Sequence, residues 1–103
     1  MKIQKREQGK TLFVDLMEDI SYENSMELES FILSNLSDGI GEVVLNIEKV
    51  AYVNSFALGI LIKTMQNIEK KGRPFFLMNA NAEIKKLLDI TGILSKFKFY
   101  GKG

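Results

Sequence analysis

The sequence predicts an α/β layer protein: a mixed β-sheet of about four to five strands, parallel at its centre, packed with three or more helices. Three observations carry this expectation. Two short, nearly unbroken apolar runs, Glu42-Val43-Val44-Leu45-Asn46-Ile47 and Phe75-Phe76-Leu77-Met78, have the length of buried strands. Between them, Leu58, Leu61, Ile62, Met65 and Ile68 recur at helical spacing, with Lys63, Gln66, Asn67 and Lys70 on the opposite face. A strand-helix-strand unit of this kind crosses right-handedly between parallel strands.

At the start of the chain, residues 2 to 7 precede a turn at Gln8-Gly9-Lys10 and are expected to pair back as an antiparallel edge strand. Their charges, Lys2, Lys5, Arg6 and Glu7, discourage edge-to-edge association. Residues 11 to 17 alternate, with Leu12, Val14 and Leu16 on one face, as a half-buried strand does. From Asn24 the period turns helical: Leu28, Phe31, Ile32 and Leu36 share a face, and Asn24 with Glu27 has the form of a capping box. Ser37-Asp38-Gly39-Ile40-Gly41 then reads as an exposed loop before the 42–47 run, which is expected to be the central strand, covered on both faces.

Val50-Ala51-Tyr52-Val53 leads into the second helix, which ends at Gly72, with Arg73-Pro74 preventing its continuation. After the 75–78 strand, Asn79 or Asn81 is expected to cap a third helix carrying Ile84, Leu87, Leu88 and Ile90. Phe97, Phe99 and Tyr100 supply a last short strand or docked tail.

Composition narrows the function. A chain of 103 residues is expected to form a single domain over residues 1–103, with apolar and charged fractions of 46% and 26%, near the globular average. It has no Cys and no His, which removes disulfides, thiolate nucleophiles, imidazole bases and the usual zinc ligands, so metal and catalytic-triad chemistry are not expected. The net charge of +1, from 14 basic and 13 acidic residues, gives no electrostatic reason to expect nucleic acid or an anionic membrane as a partner. Met1-Lys2-Ile3-Gln4-Lys5-Arg6-Glu7 lacks the apolar core of a signal peptide, and no apolar run approaches the ~20 residues of a membrane span, so a cytoplasmic location is expected.

Other constellations are weak. Gly39 and Gly41 precede a strand and form no phosphate loop, Glu18-Asp19 and Glu27-Glu29 read as solvated acids, and Lys70-Lys71 and Lys85-Lys86 as solvated helix faces. One stretch stands out: Val53-Asn54-Ser55-Phe56-Ala57-Leu58-Gly59, where an apolar strand gives way to a helix. Ser55 or Asn54 is the expected cap of that helix, whose N-terminus would stabilise a phosphate placed on or near Ser55.

Two segments of this chain resemble a known family. Residues 43 to 59, Val-Val-Leu-Asn-Ile-Glu-Lys-Val-Ala-Tyr-Val-Asn-Ser-Phe-Ala-Leu-Gly, are similar to the strand and Asp-Ser-x-Gly-Leu-Gly turn of the STAS domain of bacterial anti-sigma factor antagonists. Ile84-Lys85-Lys86-Leu87-Leu88-Asp89-Ile90-Thr91-Gly92-Ile93 is similar to that family's helix ending in Thr-Gly-Leu. The resemblance implies partner switching, in which the unphosphorylated antagonist binds an anti-sigma factor that is itself a serine kinase. Phosphorylation of the motif serine, here Ser55, releases it, and a phosphatase reverses the step. The resemblance likewise implies a non-enzymatic chain without a cofactor.

By the same resemblance, Ser21, Asn54, Ser55, Phe56 and Ala57 are the expected partner-binding residues. Three positions depart from the motif: Asn54 stands for the Asp, Phe56 for a small residue and Ala57 for Gly. Two other readings follow from the same residues: a STAS scaffold that is never phosphorylated and serves as a subunit of a larger regulatory or transport assembly, or a small ligand-binding domain or enzyme with a pocket above the Ser55 turn.

Overall fold

The computed structural model describes residues 2 to 101. Its elements are β1 (Ile3–Gln8), β2 (Thr11–Leu16), α1 (Tyr22–Ser34), β3 (Glu42–Asn46), α2 (Ala57–Lys70), β4 (Phe75–Met78), α3 (Ala82–Ile90), a 3₁₀ turn (Leu94–Lys96) and β5 (Lys98–Phe99). The strands form one mixed sheet in the order β1-β2-β3-β4-β5, antiparallel only between β1 and β2. Gly9, at a φ of 60°, makes the tight turn that reverses the chain there. The 42–47 run does supply the middle strand.

Strand pleating divides this sheet into two unlike faces. Leu12 and Val14 of β2, Val43 and Leu45 of β3, and Phe75 and Leu77 of β4 join the buried residues of all three helices in one core. α1 gives Leu28 and Ile32, α2 gives Leu61, Met65 and Ile68, and α3 gives Ile84 and Leu88. Each such side chain contributes about 1.5–3 kcal/mol on burial. α1 and α2 pack on one another and are also joined by polar bonds, since Glu29 accepts from Asn67 Nδ2 at 3.1 Å and from the buried Thr64 hydroxyl at 3.3 Å.

The opposite face has its own small cover. Phe13, Val44 and Phe76 are aligned across β2, β3 and β4 by the pairing register. Tyr100, just beyond β5, meets both outer rings edge-on, with centroids 5.5 Å from Phe13 and 5.7 Å from Phe76. The ring therefore spans Val44, which is fully buried although it lies outside the helix-covered core. Beside this aromatic row, Arg6 makes a bidentate pair with Asp15, at 2.7 and 2.9 Å, and Asp15 also accepts from Asn46 Nδ2 at 2.9 Å. The Arg6 hydrogen bonds, assisted by Asn46, hold the Asp15 carboxyl below the usual carboxylate range despite its burial.

Two boundaries differ from the sequence reading. α1 begins at Tyr22, with Ser21 as its N-cap in place of Asn24. Asn24 is instead the third helical residue of a capping box: its N–H donates to Ser21 Oγ at 3.1 Å, and its side-chain oxygen accepts the Ser21 N–H at 2.8 Å. The reciprocal pair satisfies two otherwise unpaired amides, which a helix starting at Asn24 would leave open. Val50 to Val53 is a loop with a single parallel bridge, between Ile20 and Val53. The third helix takes Asn81 as its cap, with Asn81 Oδ1 accepting from Ile84 N at 2.8 Å.

Candidate functional site

Beyond the carboxyl ends of β2 and β3, residues 18 to 24 and 51 to 56 lie side by side. Ile20 donates to the Tyr52 carbonyl at 3.1 Å and accepts from Asn54 N at 2.8 Å. Asp19 completes the clasp, one carboxylate oxygen accepting the N–H groups of Ala51 at 2.8 Å and Tyr52 at 3.1 Å. Asn24, whose side-chain amide donates to Glu18 and to the Asp19 carbonyl, links the cap of α1 to the same structure. Two loops that would otherwise move independently are thus joined by directional bonds.

Ser21, Asn54, Ser55 and Phe56 are brought to this ridge, but the capping role that the position of Ser55 suggests is not taken there. Ser21 is committed to capping α1. Ser55 does not cap α2: the helix starts at Ala57, its N-cap position is held by Phe56 in a right-handed conformation, and no side chain caps it there. Asn54 stabilises the turn one residue earlier, its Oδ1 accepting from Phe56 N at 2.8 Å while its carbonyl accepts from Ala57 N at 3.0 Å. An aspartate could accept the same bond, so Asn54 preserves the turn and removes only the charge.

Ser55 is exposed, and its hydroxyl makes no hydrogen bond among the described residues. Phe56 is 78% exposed, far more than a core aromatic. Ala57 is a correction to the partner-binding set, because it is fully buried in the core and has no surface to offer a partner. Its neighbours Leu58 and Leu61 anchor the same face of α2.

Sequence reasoning missed several residues. Asp19 reads as one of two solvated acids, and nothing in its spacing signals the clasp. Tyr22 and Met26, half exposed and one turn apart on α1, lie off the Leu28 and Ile32 stripe, which was the available clue to an apolar surface outside the core. Tyr52 is 58% exposed on the same loop as Phe56. A groove of about 240 Å³ runs between that loop and α3, and its lining does not include Ser21, Asn54 or Ser55, so it gives no support to a pocket above the serine. Among the described residues, no group of three or more acids could hold a metal ion.

The STAS domain family model matches residues 2–102. The chain belongs to the STAS domain family. A relative of this STAS domain, the anti-sigma-B factor antagonist of Staphylococcus aureus strain NCTC 8325, is 27% identical over 67 residues, covering 65% of this chain and 62% of that protein. The match thus spans less than two thirds of the relative's length. Among solved structures, a Thermotoga maritima protein described as a candidate anti-sigma factor antagonist aligns with a TM-score of 0.84 at 18% identity, over 97% of this chain and 86% of that one. The anti-sigma factor antagonist SpoIIAA in its unphosphorylated form aligns with a TM-score of 0.76 at 14% identity, over 98% and 90%. SpoIIAA from Bacillus is also solved in its phosphorylated form. At these identities the structural likeness establishes the fold. No helix among the described residues is long and apolar enough to cross a membrane.

Proposed function

We propose that this protein is a cytoplasmic, non-enzymatic anti-sigma factor antagonist that binds an anti-sigma factor, itself a serine kinase, while Ser55 is unmodified. Phosphorylation of Ser55 ends the interaction, and a phosphatase restores it. The observation that carries this reading is the pairing of an exposed, unbonded Ser55 hydroxyl with an exposed Phe56 on a loop clasped by Asp19. A kinase needs the first, and a docking partner uses the second as an anchor. The naming of the staphylococcal relatives and the two solved forms of SpoIIAA point the same way.

The physics of the switch is local. A phosphoserine carries about −1.5 to −2 charges at neutral pH. The charged residues of the ridge are Glu18, Asp19 and Glu23, with no Lys or Arg in segments 18 to 24 or 51 to 56. Neither segment supplies a counter-charge, so the dianion stays hydrated beside Phe56 and its desolvation opposes docking. Ser21, Asn54, Ser55 and Phe56 form the proposed contact surface, extended by Tyr22 and Tyr52.

Incubation with the anti-sigma factor kinase of the source organism and ATP, followed by mass spectrometry, is expected to place one phosphate on Ser55. Modification elsewhere, or none, removes Ser55 as phosphoacceptor. Asn54 favours one second reading, a STAS scaffold that is never phosphorylated, because the charge that would mark the serine for a kinase is missing while the turn is intact.

A further inference from the structure

The groove between Tyr52 and α3 is unexplained by folding. α3 already buries Ile84 and Leu88 in the core, yet Leu87 and Ile90 add apolar surface along the groove, and Ile90 is 72% exposed. Tyr52, 58% exposed, forms the facing wall. The rim carries Glu83 and Lys86, and neither is in an ion pair among the described residues. Ile90, Leu87 and Tyr52 are clustered around one concavity, and a contiguous exposed apolar patch with a polar rim is the kind of surface on which partners dock.

We infer that this groove receives an apolar anchor side chain of the same anti-sigma factor that docks over Ser55 and Phe56, an inference that rests on the function proposed above. Two observations select this occupant. Small-molecule sites usually enclose about 300–1,000 Å³, whereas this groove, at about 240 Å³ and open to solvent, has room for one bulky side chain. The groove is also continuous with the proposed docking surface, since Tyr52 shares its loop with Ser55 and Phe56, and Asp19 fixes the amides of Ala51 and Tyr52. A partner seated over Phe56 therefore meets the groove in a fixed position. Buried anchors in pockets supply much of the binding energy of an interface, and the unpaired Glu83 and Lys86 set its orientation.

The test is calorimetric titration of the full chain with each purified anti-sigma factor kinase of the source organism, comparing wild type with Ile90→Asp, Tyr52→Ala and Phe56→Ala. Circular dichroism melts check that the variants remain folded, as exposure of all three residues leads one to expect. Ile90→Asp and Tyr52→Ala are expected to weaken binding about tenfold or more, as anchor losses do. If Phe56→Ala weakens binding while both groove variants stay within about twofold, well under the tenfold of an anchor loss, the inference is wrong and the proposed function stands. If wild type binds none of the kinases, the functional reading itself fails. Self-association of wild type that Ile90→Asp abolishes would give the groove to a second copy, and an amphiphile retained in native mass spectra would give it to a small molecule; either overturns the inference.

Discussion

The Asp19 carboxylate accepts the backbone N–H of Tyr52, 33 positions along the chain, and that of Ala51 through the same oxygen. One side chain of the β2–α1 connection thereby sets the path of the loop that presents Ser55. Replacing it leaves two amides to solvent and releases the 51–56 segment from its neighbour.

Asp19→Ala is accordingly expected to cost about 1 kcal/mol, the usual net value for hydrogen bonds of this kind at a solvated site. Urea unfolding gives that number. Hydrogen exchange is the sharper measurement: the Ala51 and Tyr52 amides should lose protection while those of β3 keep theirs. Uniform loss of protection across the sheet would contradict a local clasp.

Ser55 is exposed and bonded to nothing among the described residues, so Ser55→Ala and Ser55→Asp should each shift stability by no more than about 0.5 kcal/mol. Their effects on the anti-sigma factor should differ. Ser55→Ala is expected to bind like wild type, and Ser55→Asp to bind about tenfold more weakly, the aspartate standing in for part of the phosphate charge. Unchanged affinity in both variants would favour the scaffold reading.

The Arg6–Asp15 pair makes acid stability predictable in sign. Its hydrogen bonds lower the Asp15 pKa in the folded chain relative to the unfolded value of about 3.9. A group with a depressed folded pKa contributes stability that is fully present above the unfolded value and lost as pH falls through the folded one. Wild type should therefore exceed Asp15→Asn in urea midpoint at pH 6, with the gap closing progressively below about pH 4. A gap of unchanged size from pH 6 down through the acid range would show that the pair is not its source.

Tyr100 offers a structural test of the second sheet face. Truncation to Ala removes two edge-on aromatic contacts, each worth about 0.5–1.5 kcal/mol, and uncovers Val44. A total cost of about 2–3 kcal/mol is expected. Thermal unfolding measures it, and a loss under about 0.5 kcal/mol, the range of an ordinary surface substitution, would mean that the ring is not a cover.

Much of this fold is legible along the chain because its signals are local. The β3 and β4 runs, the α2 stripe and the Gly72-Arg73-Pro74 stop all act within a few residues, and the observed elements fall on them. The start of α1 was less legible, since Ser21 and Asn24 each have the chemistry of a cap and only their reciprocal bond assigns the roles. At the site, the identity of the Ser55 segment could be read from its motif, but Asp19 could not, because its partners lie over thirty positions away.

The order of strands and helices and the position of the junction at Ser55 follow from the residue pattern along the chain. Tertiary structure decided what each junction residue does: Asn54 holds the turn, Ser55 is left free, Phe56 is turned outward and Ala57 inward. The physical reason is that exposure is a property of neighbours. Four consecutive residues carry no periodic signal that separates core from surface, and their fates were set by Ile20, Asp19 and the packing of α2 onto the sheet.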